Sequence, residues 1–270
     1  MLFDVIANFS IAKESEPDFD NNDSISVSEE KSCFCVSDGV TGSFYSRDWA
    51  ILLTNNFIEN TSLLEISDIS QEGDMKLLSK WLNPIQEKWH LSIPWEKFEN
   101  ASEIRKKYFN DGGKATFLGG KVDIINGKKI LKIFAVGDSN LFLVRNDTNV
   151  LSFPLTNSEE FTSVPNQLFS KERMDPSTQK MSSISGIVKS MTIDIQKDDS
   201  IIAATDAVSR WYINTLESDH IETAKNLFSN PWSELFEIKD IKNFKEFVYD
   251  KKYLRLMHSD DASLLILKVK

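Results

Sequence analysis

ATFLGGKVDIINGKKILKIFAVGDSNLFLV, residues 115–144, reads as three strands laid end to end. The run ATFLGGKVDII stops at Asn126–Gly127, a dipeptide whose residues both accept the positive φ that a two-residue hairpin turn demands. KKILKIFAVG then returns, dense in Ile, Leu, Phe and Val, as strands favour. Gly137–Asp138–Ser139 makes a second turn, and NLFLVRND leads off the next strand, so the stretch predicts a β-meander. The glycine pairs Gly112–Gly113 and Gly119–Gly120 are not nucleotide loops, because no helix directly follows either.

Outward from this stretch the chain alternates between strand and helix blocks. Residues 2–10 predict a first strand, and KESEPDFDNNDS is a polar loop. SISVS and SCFCVS, either side of Glu29–Lys31, predict a hairpin. SRDWAILLTNNFIEN carries Trp49, Leu52, Leu53 and Phe57 at helical spacing. Residues 74–110 predict one or two further helices, in which Leu77, Leu78, Trp81, Leu82, Ile85 and Trp89 form a packing stripe that Pro84 kinks or ends. Residues 155–185 look polar and irregular, a candidate mobile or functional segment. SGIVKSMTIDI and DSIIAAT return to strand, AVSRWYINTLE, 219–229 and 240–252 predict helices, and ASLLILKVK is a last strand. The pattern is α+β, antiparallel sheets covered by helices, and it is expected to be a single domain over residues 1–270.

Bulk properties exclude several functions. With 270 residues, 41% hydrophobic and 27% charged, the chain can bury a full core. A net charge of -10 disfavours nucleic acid or an anionic membrane as a partner, since both require a basic surface. No run approaches the 18 apolar residues of a membrane span, and the first residues lack the features of a secretory leader. Cys33 and Cys35 are expected to be small buried apolar residues. Three histidines, His90, His220 and His258, leave little room for a zinc site. A reducing cytoplasm is the expected setting.

Four aspartates stand at the tips of apolar runs: CFCVSD (Asp38), IFAVGD (Asp138), IIAATD (Asp206) and SDDASLLILKV (Asp260). In an antiparallel sheet the end of one strand lies beside the start of its neighbour, so such tips converge on one sheet edge. Converging carboxylates repel and resist desolvation, and they call for hard cations such as Mg²⁺, Mn²⁺ or Ca²⁺. Paired cations activate water and neutralise phosphoryl oxygens, so phosphoester hydrolysis is the chemistry this constellation favours.

Five motifs in order, spread over almost the whole chain, resemble those of the metal-dependent protein phosphatases of type 2C, the PPM family, in its bacterial form. They are Asn22–Asp23–Ser24, Ser37–Asp38–Gly39–Val40–Thr41–Gly42, Val136–Gly137–Asp138–Ser139, Thr205–Asp206–Ala207 and Asp260–Asp261–Ala262–Ser263. The resemblance implies a four-layer α-β-β-α sandwich with two central antiparallel sheets flanked by helices. It implies two Mn²⁺ or Mg²⁺ ions: Asp38 bridging them, Asp23 and the Gly39 carbonyl on one, Asp206 and Asp260 on the other, and Asp138 near a third. Asp38, Asp206 and Asp260 would act in catalysis through a metal-bound water. Lys13 would neutralise the substrate phosphate, and residues 155–185 would form a flap at the substrate groove.

The sequence departs from that pattern in places. Thr41 replaces a glycine where a β-branched residue tolerates positive φ poorly. Ala207 replaces another glycine, Val40 removes a histidine used as a general acid, and Arg210 stands where some members carry an aspartate for the third metal. The expected activity is hydrolysis of phosphoserine and phosphothreonine in signalling proteins, with the substrate of a cognate Ser/Thr kinase as partner. The alternative is a pseudophosphatase that binds phosphoproteins without turnover. A two-metal nuclease is disfavoured by the acidic charge.

Overall fold

The computed structural model describes residues 1–14, 16–68, 70–174, 181–218 and 230–270; the helix expected over 219–229 lies outside them. In chain order the elements are β1 (Phe3–Ile11), β2 (Asp23–Ser28), β3 (Cys33–Asp38), α1 (Ser46–Glu59), α2 (Glu72–Ser92) and α3 (Glu103–Asp111). Then follow β4 (Lys114–Ala115), β5 (Phe117–Ile125), β6 (Lys128–Val136), β7 (Asn140–Arg145), β8 (Thr148–Phe153), β9 (Gln167–Met174), β10 (Met181–Ser185), β11 (Lys189–Ile195) and β12 (Ser200–Ala204). The chain closes with α4 (Asp206–Ser218), α5 (Pro231–Glu237), α6 (Ile241–Tyr253) and β13 (Ala262–Val269). Among the described residues no helix is long and apolar enough to cross a membrane.

Two five-stranded antiparallel sheets face each other, in the orders β1-β13-β12-β7-β8 and β11-β6-β5-β3-β2. Three apolar layers follow from that stacking. Between the sheets lie Phe3, Phe34, Leu118, Leu131, Leu143 and Leu265. Outside the second sheet, Phe117 and Phe134 pack against Trp49, Phe57 and Trp81 of α1 and α2. Outside the first, Phe142, Ile202 and Leu264 pack against Trp211, Tyr212 and Phe244 of α4 and α6. The architecture is the expected four-layer sandwich. Central strands are buried on both faces, which is why β12 reads as an unbroken apolar run, SIIAA, rather than an alternation.

The Asn126–Gly127 turn holds as read: both residues have positive φ, 52° and 77°, and β5 pairs with β6 from Ile125↔Lys128 to Phe117↔Val136. The expected meander, however, breaks at the next turn. β6 takes β11 as its other neighbour, while β7 belongs to the opposite sheet between β12 and β8. The chain crosses between sheets at Gly137, whose φ of 100° a side-chain-bearing residue would resist. NLFLV has apolar residues on both faces, so its sequence satisfies either sheet, and pairing partners decide.

Three further expectations change. Helix α2 continues past Pro84 rather than ending there, held by the buried stripe Leu78, Trp81, Leu82, Ile85 and Trp89. Residues 155–185 are less irregular than they read: β9 and β10 form a small sheet with β4, in the order β10-β9-β4. Gly119 and Gly120 lie inside β5 because rings occupy the space a Cβ would need: a Cβ on the first would sit 2.7 Å from the Phe57 ring, and one on the second would run into the Phe34 ring. Cys33 and Cys35 are buried and free, as expected.

Candidate metal centre

Strand register gathers the acidic tips. Asp23 and Asp38 are direct cross-strand partners at the ends of β2 and β3. In the facing sheet Ala204 lies between Asn140 and Leu264, so Asp206, two residues beyond it, emerges beside Asp138 and Asp260, each two residues before its own strand. Like charges directly opposite each other on adjacent strands repel. The electrostatics record the crowding. Asp38 is pushed well above the usual carboxylate range by burial and then by Asp23, Asp206, Asp138 and Asp260. Burial and Asp261 do the same to Asp23, against the opposing Thr205 hydrogen bond. Burial raises Asp138 to about 6, and burial with Asp138 and Asp260 raises Asp206 to about 7. Burial also raises Asp260.

The donor chemistry fits a hard divalent cation. Asp23 Oδ1 and Asp138 Oδ1 are buried with no hydrogen-bond partner among the described residues. An unpaired buried carboxylate oxygen is costly, and a cation is the partner that answers both its charge and its lone pairs. Among the described residues no three His, Cys, Asp or Glu side chains already stand in an arrangement that could hold an ion. The carboxylates therefore converge without closing into a shell, as mutually repelling groups do.

The residues that fix these carboxylates were not singled out in the sequence. Thr205 Oγ1 donates to Asp23 Oδ2 at 2.7 Å and accepts from the Ser263 amide at 3.0 Å, tying the two sheets together. Asp261, buried, accepts from the Lys13 and Asn22 amides at 2.9 and 2.8 Å. Asn22 in turn accepts from Ser46 Oγ at 3.0 Å. Thr116 Oγ1 joins the Asp38 amide at 3.4 Å to Ser139 Oγ at 2.8 Å, linking the Asp38 and Asp138 turns. Asn22, Ser139, Thr205, Asp261 and Ser263 fall within the quoted motifs, beside the acidic tips, whereas Ser46 and Thr116 lie outside them. Thr205→Val keeps the shape but removes the hydroxyl that donates to Asp23 Oδ2 and accepts from the Ser263 amide. It is expected to cost about 1–3 kcal/mol in urea denaturation and about 10–100-fold in Mn²⁺ affinity by thermal-shift titration. Unchanged Mn²⁺ affinity would leave Thr205 a purely structural role.

The departures from pattern settle differently. Positive φ in the Asp38 turn falls on Gly42, at 80°, and not on Thr41. Ala207 lies buried in the first turn of α4 and has no positive φ. Arg210, one turn further along α4, partly offsets the burial that raises both Asp138 and Asp206. The Lys13 ammonium is held by Glu16 at 2.9 Å, and its side chain sits near Asp260 and Asp261. β9 borders the site, pairing with β4 while Ala115 bridges to Gly39.

No protein-family model matches the sequence, and no curated protein matches it. Solved structures do, end to end. The serine/threonine phosphatase PstP/Ppp of Mycobacterium tuberculosis superposes with a TM-score of 0.53 at 12% identity, covering 100% of both chains. The chain has the fold of the bacterial PPM Ser/Thr phosphatases. PppA of Pseudomonas aeruginosa, a key regulatory component of T6SS, gives 0.51 at 12% identity over 100% of this chain and 99% of its own. The S. agalactiae serine/threonine phosphatase gives 0.51 at 12% over 99% and 100%. The PPM fold thus extends over the whole chain, with the acidic tips at one end of its paired sheets.

Proposed function

We propose that this PPM-fold chain is a metal-dependent phosphatase of phosphoserine and phosphothreonine in proteins, with Asp23, Asp38, Gly39, Asp206 and Asp260 holding two Mn²⁺ or Mg²⁺ ions. The observation that carries the reading is the convergence of five carboxylates from two sheets, two of them with unpaired buried oxygens. The ions would supply an activated water and charge neutralisation at the phosphoryl group. Asp38, opposite Asp23 and nearest to all the others in charge influence, is the bridging candidate. Thr205, Asn22 and Asp261 keep the carboxylates aimed, so little reorganisation is left for the reaction. Asp138, facing Arg210, is the candidate for a third, weaker ion, and Lys13 remains a candidate for substrate phosphate only once released from Glu16. Residues 155–185, which include β9 and β10, are the candidate flap.

One observation favours the pseudophosphatase reading. Arg210 places a fixed cation against Asp138 and Asp206. The other two departures lend it little support, since Thr41 and Ala207 are accommodated without strain. The full chain is expected to hydrolyse an aryl phosphate and a phosphoserine peptide with Mn²⁺ and to stop when a chelator is added. Turnover that survives in Asp206→Asn would refute the site, and phosphopeptide binding without turnover at saturating Mn²⁺ would favour the pseudoenzyme.

A further inference from the structure

Beside the acidic centre lies a pocket of opposite character. It measures about 340 Å³ and is lined by Arg210, Asn214, Lys252, Arg255, His258 and Ser259. Two arginines, a lysine and a histidine converge there with no carboxylate in the lining, in a chain whose net charge is -10. Among the described residues neither Arg210 nor Arg255 forms an ion pair with a carboxylate; Arg210 lies over the Phe161 ring at 5.9 Å. Lys252 Nζ donates to the carbonyl of Asp260 at 2.6 Å, which fixes the pocket's wall to the metal centre.

The backbone supplies an independent observation. Helix α6 ends with the Leu256 amide donating to the Lys251 carbonyl and the Arg255 amide to the Lys252 carbonyl, both at 2.9 Å. This pair of bonds puts Arg255 at the position after the helix cap that glycine usually takes. Its φ is 60°, in the left-handed region. A long, charged side chain kept where glycine would be less strained points to a use for the side chain.

We propose that this pocket is a subsite for a second anionic group on the phosphoprotein substrate, a carboxylate or another phosphate. Arg210 stands about one helical turn from Asp206, about 6 Å along α4. An extended peptide advances about 3.3–3.6 Å per residue. The group read by the pocket is therefore about two residues from the scissile phosphoester. Arg255 and Arg210 each offer a planar fork suited to carboxylate or phosphate oxygens. The assignment of a scissile phosphate rests on the phosphatase reading above; the anion affinity of the pocket does not.

The test compares phosphoserine peptides with alanine, glutamate or a second phosphoserine two residues away on either side, using the full chain with Mn²⁺. The kcat/KM ratio of the anionic peptides over the alanine peptide is expected to be about tenfold on one side, worth roughly one charge-assisted hydrogen bond. The glutamate and phosphoserine arms distinguish a carboxylate reader from a phosphate reader. Arg255→Gly is expected to bring the ratio near one while Tm stays level or rises, because glycine relieves the left-handed backbone. A ratio of one in the parent chain, or a ratio undiminished in Arg255→Gly, overturns the proposal. A second measurement is independent of turnover: fluorescence anisotropy of the doubly phosphorylated peptide on the metal-free chain. Arg255→Gly is expected to weaken that binding about tenfold, and equal binding by both chains overturns the pocket even if the phosphatase activity stands.

Discussion

Asp38→Asn abolishes the stabilisation by Mn²⁺ and cuts aryl phosphate turnover by about a thousandfold, while the metal-free protein stays as stable as the parent or becomes more so. That is the expected result, and each part has a separate cause. The Asp38 side chain has no hydrogen-bond partner among the described residues. It faces Asp23 across the strands and feels Asp206, Asp138 and Asp260. Neutralising it therefore removes repulsion and loses no bond. The parent chain at a hundredfold excess of Mn²⁺ over Kd gains about 2.7 kcal/mol, a Tm rise of about 5–10 °C at this chain length. The variant is expected to lose most of that rise, because the charge proposed to bridge the ions is gone. Several kcal/mol of Lewis-acid stabilisation correspond to about 10³ in rate. A variant whose Tm still climbs with Mn²⁺ as the parent's does would remove Asp38 from the metal centre.

Gly39→Ala is expected to destabilise by about 1–3 kcal/mol or more and to weaken the Mn²⁺ response, although it adds one methyl group next to the acidic tips. A Cβ at Gly39 would sit 2.7 Å from the carbonyl oxygen of Asn22 and 2.8 Å from that of Ser46. Both are backbone atoms, so no rotamer change can yield. Asn22 leads directly into Asp23, and Ser46 opens α1, so relief of the clash moves a proposed ligand or a helix. Gly73→Ala is the control. That glycine lies in the first turns of α2 with nothing within 4 Å of an added Cβ, and it is expected to leave stability level or raise it by about 0.5–1 kcal/mol. Urea denaturation of the two variants side by side checks the contrast; equal effects would mean that Gly39 is not closely packed.

Much of this was legible in the chain itself. The hairpin turn at Asn126–Gly127, the strands around it, helix α1 and the packing stripe of α2 follow from local propensity and periodicity. The acidic tips were legible because an aspartate ending an apolar run is a conspicuous combination. β8 and α5 are short; the Asn230–Pro231 pair that opens α5 is a helix-start signal, but the segment that follows it is too brief to show a helical period. β9 and β10 were missed because their polar residues are paired within a small sheet on β4, a pairing between distant segments. Of the two outcomes read for Pro84, an end to the helix does not occur, because the buried face of α2 outweighs one lost backbone bond.

The sequence by itself determined the alternation of strands and helices, the acidic character of one sheet edge, and the glycine that lets the chain turn at residue 137. Which strand pairs with which was decided only by the tertiary structure. β7 joins the opposite sheet, which its two apolar faces allow, and β11 pairs with the edge of β6 in its place. That crossing brings Asp138 to Asp206 and Asp260, and the Thr205 hydroxyl then ties their sheet to Asp23 in the other. The basic pocket arose the same way, from α4 and the end of α6 packed on one sheet. Charge at a point in space depends on which distant segments meet there, and local sequence carries no record of that meeting.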